Sequence, residues 1–225
     1  MCGRFVMKTE PGELADFFGL AAGAELPARY NIAPTQVVAA VLPEGGKRVI
    51  KLLRWGLVPS WAKDIDIGAR MINARADTVF EKPAFRAAIR RRRCLVPADG
   101  FYEWGVVGSR KQPFFICMRE KNLFAIAAIW EHWESPDGSQ IDSCALLTTE
   151  ANALMCSFHH RMPVILERGD FDRWLDPSIE KKEKLEDLLV PYPPERMTFY
   201  PVNRLVDNPR NDLPACIEPL EEQAG

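Results

Sequence analysis

The sequence predicts an α+β fold in a single domain, residues 1–225, with a largely antiparallel, barrel-like β core and peripheral helices. Two observations support this prediction. Short apolar segments of strand length recur along the chain between turn-forming residues, whereas segments with helical spacing are few. Many short strands with helices around them are typical of an antiparallel sheet or barrel. We find no internal repeat, low-complexity stretch or linker that would divide the chain into two domains.

The predicted strands begin at the amino terminus and recur throughout the chain. They cover residues 4–7, 37–42, 49–55, 94–97, 101–104, 113–118, 123–130, 143–149 and 198–202. Residues 44–47, Glu-Gly-Gly-Lys, are predicted to form a hairpin turn, because glycines accept the left-handed backbone of such turns. Residues 23–34 are predicted to be a loop, and residues 56–69 an irregular segment.

The predicted helices are short and lie between the strand segments. They cover residues 11–18, 83–90, 152–157, 171–175 and 178–190. Thr9 is the expected N-cap of the first helix and Gly19 its stop. The last helix is predicted from apolar residues near helical spacing, among them Leu185 and Leu188. Four consecutive arginines at residues 90–93 are expected to be a solvated helix end, or else to neutralise phosphates.

The composition indicates a globular protein whose overall charge does not favour nucleic acid. Hydrophobic residues make up 47% of the chain and the net charge is −2, so binding to nucleic acid would require a local basic patch. The six cysteines form no CxxC pair and no signal sequence precedes them, which favours free thiols in a reducing cytosol. The longest apolar run, residues 123–130, is too short to span a membrane. We expect a cytoplasmic monomer with no membrane partner.

The residue that follows the initiator methionine is Cys2. Cysteine is small enough for methionine aminopeptidase to remove Met1, which would leave an α-amine and a thiol on adjacent carbons. The amine has a pKa of about 8 and the thiol of about 8.5, so both can react as nucleophiles near neutral pH. The amine can form an imine with an aldehyde, and the sulfur can then close a five-membered thiazolidine. Position alone leaves open that Cys2 is an ordinary small apolar residue.

Three internal polar residues are candidates for chemistry. Asn73 follows a glycine-containing loop, and its amide could orient a substrate or simply stabilise a turn. Glu103 lies between aromatic residues on a predicted strand; if it points inward, burial would raise its pKa and suit it to proton transfer. His159 is followed by His160, and adjacent side chains of an extended segment point in opposite directions. We therefore expect at most one of the two histidines to serve a site, or neither.

Candidate nucleic-acid contacts lie near these residues. Arg4, Arg75 and Arg161 each come within three residues of a candidate site residue, and arginine binds phosphate in a bidentate manner. Pro34 and Trp61 lie in irregular segments, where they could stack on or wedge against bases, although such residues more often belong to the core.

Several segments together resemble the SOS-response-associated peptidase (SRAP) family of abasic-site processing proteins. The matching segments are residues 1–5 (Met-Cys-Gly-Arg-Phe), 29–34 (Arg-Tyr-Asn-Ile-Ala-Pro), 55–61 (Trp-Gly-Leu-Val-Pro-Ser-Trp), 72–75 (Ile-Asn-Ala-Arg), 101–104 (Phe-Tyr-Glu-Trp), 111–114 (Lys-Gln-Pro-Phe) and 159–163 (His-His-Arg-Met-Pro). They occur in the order found in the family and cover most of the chain. No position expected to carry chemistry departs from the family pattern.

The resemblance implies covalent capture of abasic sites in single-stranded DNA. Cys2 would attack the aldehyde of the ring-opened sugar and leave a thiazolidine crosslink. Asn73 would orient the sugar, Glu103 would transfer protons during imine formation and reversal, and His159 would assist ring opening and strand cleavage by β-elimination. The resemblance also implies the DNA contacts, which are Arg4, Pro34, Trp61, Arg75 and Arg161. It further implies autocatalytic removal of Met1 and no metal or organic cofactor.

Two other classes of protein remain as alternatives. An N-terminal-nucleophile hydrolase of the glutamine-amidotransferase type also begins Met-Cys-Gly, and there the Cys2 thiol attacks an amide. The segments at residues 55–61 and 159–163 are not expected in that class. A non-catalytic reader of nucleic acid would bind intact and abasic strands alike and would leave no covalent bond. Glutaminase activity distinguishes the first alternative, and the absence of a denaturation-resistant adduct distinguishes the second.

Overall fold

The computed structural model describes residues 2–20 and 25–220. Within these residues the chain forms many short strands and three α-helices. The strands are β1 (Phe5–Met7), β2 (Arg29–Ile32), β3 (Val37–Glu44), β4 (Lys47–Trp55), β5 (Asn73–Arg75), β6 (Arg93–Ala98), β7 (Gly100–Val107), β8 (Arg110–Met118), β9 (Phe124–Glu134), β10 (Gln140–Glu150), β11 (Arg161–Pro163), β12 (Ile165–Leu166) and β13 (Met197–Pro201). The helices are α1 (Pro11–Phe18), α2 (Ala88–Arg91) and α3 (Phe171–Leu175).

Five strands close into a small barrel in the order β10-β4-β3-β6-β9, because β9 also pairs with β10. All of these pairs are antiparallel except β4 with β10. The hairpin predicted at residues 44–47 joins β3 and β4, and Gly45 and Gly46 have φ angles of 58° and 74°. The short strands β5 and β11 extend the barrel beside β10, and β12 extends it beside β9.

A second sheet packs against the barrel and holds the amino terminus. Its order is β13-β8-β7-β1-β2, and every neighbouring pair is antiparallel. Since β1 lies between β2 and β7, the chain immediately before it is anchored on both sides. The predicted α+β fold with a barrel-like antiparallel core is therefore confirmed.

The core divides according to the alternation of side chains along the strands. One set of barrel residues packs with the second sheet, in a cluster that includes Cys2, Phe5, Trp55 and Phe101. The alternate set packs beneath the helices, where Trp174 of α3 is fully buried. A smaller cluster covers the outer face of the second sheet. Cys2 thus lies between the barrel and the second sheet.

Several predicted elements are confirmed, with one error at a helix terminus. The helices at residues 11–18 and 171–175 form as predicted, and Gly19 ends the first in the left-handed conformation. Thr9 is not the N-cap; Glu10 holds that position without a side-chain hydrogen bond. Thr9 instead donates its hydroxyl to Asp99 at 2.6 Å, so a contact distant in sequence replaces the local cap.

Other predictions of secondary structure were wrong. Residues 178–190 form no α-helix but contain the 3₁₀ turns Lys182–Lys184 and Glu186–Leu188. The spacing that buries Leu185 and Leu188 also fits a 3₁₀ turn, in which residues three apart share a face. The predicted loop at residues 23–34 contains β2, and its residues 23 and 24 lie outside the described residues.

The two predicted helices at residues 83–90 and 152–157 are shorter than expected. Only Ala88–Arg91 is α-helical in the first region, and the second contains the single 3₁₀ turn Met155–Ser157. The irregular segment predicted at residues 56–69 is interrupted by one 3₁₀ helix, Ile65–Arg70. No helix in residues 2–20 or 25–220 is long and apolar enough to cross a membrane.

The arginine run at residues 90–93 is not wholly solvated. Arg93 is only 2% exposed, and its guanidinium donates to the carbonyl oxygens of Ile89 and Arg90 at the end of α2. It also donates to the carbonyls of Trp174 and Asp176 at the end of α3. The terminal carbonyls of two helices therefore satisfy one buried cation. The expectation of a solvated helix end was wrong for Arg93.

Candidate active site around Cys2

Cys2 is buried, and its backbone carbonyl is hydrogen-bonded to Asn73. The residue is fully buried in the cluster between the barrel and the second sheet. Its carbonyl oxygen accepts a hydrogen bond of 2.9 Å from Asn73 Nδ2. Burial, together with the negative charge of Glu103, raises the pKa of the Cys2 thiol to about 12. The thiol is therefore protonated at neutral pH and needs a proton acceptor when it reacts.

Asn73 is positioned by the barrel. It opens β5, which pairs in parallel with β10 so that Asn73 lies opposite Leu146. The carbonyl of the preceding residue, Ile72, accepts hydrogen bonds from Leu146 N and from the Trp55 indole. Within the described part of the chain, the buried Oδ1 of Asn73 has no hydrogen-bond partner. This oxygen can accept a hydrogen bond from a substrate hydroxyl.

Glu103 faces the cluster that contains Cys2. Along β7, Phe101 joins this cluster while Tyr102 joins the cluster on the outer face, so the alternation of the strand directs Glu103 to the inner face. Glu103 is 7% exposed, and burial raises the pKa of its carboxyl group. Its charge also acts on the Cys2 thiol and contributes to the raised pKa of that thiol. A carboxyl with a raised pKa can both donate and accept a proton near neutral pH.

His159 lies in the loop between the turn at Met155–Ser157 and β11. Its backbone N–H donates to Met155 O at 2.9 Å, and its Nδ1 accepts from Arg161 N at 3.0 Å. In the neutral ring this leaves the proton on Nε2. Burial lowers the pKa of His159, which favours the neutral form. The preceding residue, Phe158, packs against the ring of Phe114 at 5.0 Å.

This aromatic contact places the histidine loop beside β7. Phe114 lies on β8 directly opposite Glu103 in the strand register. The two histidine rings stack at 4.2 Å, so the expectation that they point in opposite directions was wrong. The reason is that the chain is not extended at these residues, because β11 begins only at Arg161. His160 is therefore a direct neighbour of the His159 ring.

Arg75 and Arg161 share one carboxylate, that of Asp77. Arg75 donates to both Asp77 oxygens, at 3.1 and 2.6 Å. Arg161 Nη2 lies 3.8 Å from Asp77 Oδ1, and its guanidinium also donates to the hydroxyl and carbonyl of Thr148. Arg75 is exposed whereas Arg161 is buried. The register of β5 and β11 on either side of β10 brings these two arginines together.

Arg4 lies apart from this pair. Its guanidinium donates to Asn31 Oδ1 at 2.8 Å and to Val206 O at 2.7 Å, and it lies 5.8 Å from the Trp104 ring. Trp104 packs against the cluster on the outer face of the second sheet, opposite to the face of Glu103. The three arginines proposed from sequence are therefore not one cluster.

Pro34 and Trp61 both lie near the end of β4. Pro34 precedes Thr35, which has a φ of 72° and donates its N–H to Trp55 O at 2.7 Å. Trp61 is 59% exposed in the loop that follows β4. This loop is held by a hydrogen bond of 2.7 Å from the Trp133 indole to Ala62 O. Trp61 thus presents an open aromatic surface on an anchored loop.

The sequence reasoning did not identify Asp77. The available signal was its position two residues after Arg75, a spacing at which a short acidic side chain can reach an arginine in a turn. Thr148 was also not identified, because its contact with Arg161 depends on the pairing of β10 with β11. In the described ranges 2–20 and 25–220, no three His, Cys, Asp or Glu side chains are grouped so that they could hold a metal ion.

Comparison with known proteins identifies the family. The model of the SOS response associated peptidase (SRAP) family matches residues 1–209. The chain is 40% identical over 222 residues to the Bacillus subtilis abasic site processing protein YoqW, covering 97% of this chain and 99% of that protein. It is 33% identical over 202 residues to the Gallus gallus abasic site processing protein HMCES, covering 79% of this chain and 60% of that protein.

Solved structures show the same architecture. A crystal structure of a Bacteroides thetaiotaomicron protein superposes with a TM-score of 0.88 at 28% identity, over 98% of this chain and 100% of that one. A Bordetella bronchiseptica protein superposes with a TM-score of 0.79 at 26% identity, over 90% and 100% of the two chains. The barrel with its second sheet is thus a recurring architecture. This chain belongs to the SRAP family.

Proposed function

We propose that this protein processes abasic sites in DNA by capturing the ring-opened sugar covalently at Cys2. Membership of the SRAP family and relatives named abasic site processing proteins support the general function. The observation that carries the covalent mechanism is the environment of Cys2. Its backbone carbonyl is hydrogen-bonded to Asn73, and the charge of the buried Glu103 carboxyl contributes to the raised pKa of its thiol. The expected substrate is single-stranded DNA, bound by a cytoplasmic monomer; in a bacterial cell the DNA-bound protein would be associated with the nucleoid.

The proposed reaction begins once Met1 is removed, because until then the nitrogen of Cys2 is an amide and not a nucleophile. The free amine adds to the aldehyde carbon and gives a carbinolamine. Glu103, whose pKa is raised by burial, acts as the general acid: in its protonated form it gives a proton to the departing hydroxyl, so water and an iminium ion form. The Cys2 sulfur then adds to the iminium carbon, and the Glu103 carboxylate accepts the thiol proton. The net change is one thiazolidine and one water molecule.

The other residues have supporting roles in this proposal. Asn73 Oδ1 accepts a hydrogen bond from the sugar while its Nδ2 fixes Cys2. The neutral His159 assists opening of the sugar ring, and can remove the proton needed for strand cleavage by β-elimination. Arg75 and Arg161 bind flanking phosphates, and Trp61 and Pro34 shape the path of the strand. The guanidinium of Arg4 is hydrogen-bonded to Asn31 and Val206, so Arg4 supports the terminal segment. Its positive charge also attracts the DNA phosphates. We include autocatalytic removal of Met1 in the proposal.

Denaturing electrophoresis with a single-stranded oligonucleotide that carries one abasic site tests the function. Wild-type protein should form an adduct that survives denaturation, with an intact mass equal to the sum of the two components minus one water molecule. Cys156 is a free, exposed thiol, so Cys156→Ser is the matched control and should form the adduct at the wild-type level. Absence of any adduct from mature wild-type protein would refute covalent capture. Glutaminase activity in that protein would instead support an amidohydrolase.

A further inference from the structure

The carboxylate of Asp77 contacts the guanidinium groups of both Arg75 and Arg161. Its two oxygens accept hydrogen bonds from Arg75, and the guanidinium of Arg161 lies 3.8 Å away. These hydrogen bonds from Arg75, with the charge of Arg161, keep the pKa of Asp77 below its usual value, so the carboxylate is ionised. A carboxylate and a phosphate offer arginine the same paired oxygen acceptors. The arginine pair is thus neutralised in part by the protein itself.

This ion pair is accessible and weakly held. The side chains of Arg75 and Asp77 are 56% and 50% exposed, and exposed ion pairs contribute little to stability. Asp77 and Arg161 also line an open cavity of about 310 Å³ whose wall includes Lys182. A strand can therefore reach the pair from solvent, and the Asp77 side chain has space into which it can turn. Thr148 meanwhile keeps Arg161 in position on the barrel.

We propose that Asp77 is a specificity-determining residue, whose carboxylate competes with DNA phosphate for Arg75 and Arg161. This inference rests on the proposed function. An intact strand must displace Asp77 and gains only phosphate contacts, so it binds weakly and dissociates. A strand with an abasic site meets the same competition but then forms a covalent bond at Cys2. Asp77 consequently lowers the occupancy of the site by undamaged DNA and leaves it available for the lesion.

The test uses three variants and two measurements. Asp77→Asn removes the competing charge, and Asp77→Glu retains it. The matched control is Asp172→Asn, because Asp172 lies on α3 and its carboxylate accepts a hydrogen bond of 2.6 Å from a different arginine, Arg48.

Fluorescence anisotropy measures binding to an intact single-stranded oligonucleotide across a range of salt concentrations. Asp77→Asn should bind about two- to tenfold more tightly than the control. Its slope of log K against log salt should steepen by about 0.7, corresponding to one additional phosphate. Asp77→Glu should behave as wild type.

A competition measurement links this binding to specificity. Adduct formation with a labelled abasic strand is followed while unlabelled intact strand is added in excess. Half-inhibition of Asp77→Asn should require correspondingly less competitor than half-inhibition of Asp172→Asn. If Asp77→Asn binds the intact strand no better than the control, or binds it less well, Asp77 does not compete with phosphate and the inference is wrong. Failure of wild-type protein to form any adduct would instead refute the proposed function, since the anisotropy measurement does not depend on the covalent step.

Discussion

At the scale of single residues, the candidate site joins side chains that lie far apart in the chain. The carbonyl of Cys2 accepts a hydrogen bond from Asn73, 71 residues later in the chain. The pKa of its thiol is raised in part by the charge of Glu103, which lies on a different sheet from Asn73. Each of these side chains is buried or half-buried, so the solvent that would otherwise compete for protons and hydrogen bonds is largely excluded. The individual roles can therefore be separated by single substitutions.

Substitution of Cys2 separates the amine from the thiol. In Cys2→Ser the terminal amine can still form an imine, but no sulfur can close the thiazolidine. We expect an adduct that is lost on heating and is trapped only by borohydride. The measurement is the yield of adduct with and without borohydride, after heat treatment. A heat-stable adduct at the wild-type yield would show that the sulfur takes no part.

Substitution of Glu103 and of His159 should affect different steps. Glu103→Gln should slow both formation and release of the adduct by about 10²–10⁴-fold, because a general acid–base group acts in both directions.

His159→Ala should slow reaction with a natural abasic site, whose sugar must first open, and should have little effect on an aldehyde that cannot cyclise. Rapid-quench kinetics with the two substrates measure these steps. If His159→Ala lowers the rate of adduct formation equally on both substrates, the histidine only supports its loop.

At the scale of elements, the loop after β4 depends on a close approach between two glycines. Gly56 has a φ of 127°, and a Cβ atom at this position would lie 2.6 Å from the carbonyl oxygen of Gly68. Gly68 belongs to the 3₁₀ helix Ile65–Arg70, so the contact fixes that helix against the strand end. The exposed Trp61 lies on the loop between these two glycines. The geometry of this surface therefore requires residues without a side chain.

Gly56→Ala should consequently destabilise the protein by about 1–3 kcal/mol, because it combines an unfavourable backbone conformation with overlap of backbone atoms. Gly108→Ala is the matched control, since Gly108 also has a positive φ, of 61°, but nothing lies near its added Cβ. Urea unfolding of both variants gives the free energy of unfolding. If Gly56→Ala lowers the free energy of unfolding no more than Gly108→Ala does, the overlap with Gly68 contributes nothing and the backbone conformation alone is the cause.

At the scale of the whole molecule, the buried carboxyl of Glu103 links folding stability to pH. Burial raises its pKa in the folded protein above the ordinary value of 4.5. The folded state then holds a proton that the unfolded state releases, so this residue lowers stability as pH rises from the unfolded pKa through the folded pKa. Below that range both states are protonated and the penalty disappears.

Glu103→Gln should therefore raise the melting temperature at neutral pH while it slows the reaction. The gain should shrink as the pH falls toward the ordinary range of a glutamate, because glutamine carries no titrating proton. Thermal unfolding of wild type and variant from acidic to neutral pH measures the difference. Glu81→Gln, at an exposed position, serves as the control and should show no such trend. A gain that does not change with pH would mean that the buried charge is not its cause.

Much of the secondary structure could be predicted because it depends on neighbouring residues. The β3–β4 hairpin follows from two glycines between apolar strands, and α1 and α3 have the predicted bounds. The segment at residues 178–190 shows the limit of this approach. Its apolar spacing suits an α-helix and a 3₁₀ turn alike, and the carbonyl of Leu189 is bonded to Thr149 on β10. Contacts with the barrel, rather than local preference, decided the conformation.

The sequence by itself determined the class of fold and the family resemblance, because these are properties of composition and of short patterns; it also offered Cys2 as the candidate nucleophile. Only the tertiary structure decided which groups meet. Closure of the barrel aligns Asn73 with Cys2, and the pairing of β5 and β11 with β10 places Arg75 and Arg161 around Asp77. The same packing buries Arg93 and stacks the two histidines. These contacts join residues distant in sequence, and their geometry depends on strand register and closure, which no local pattern specifies.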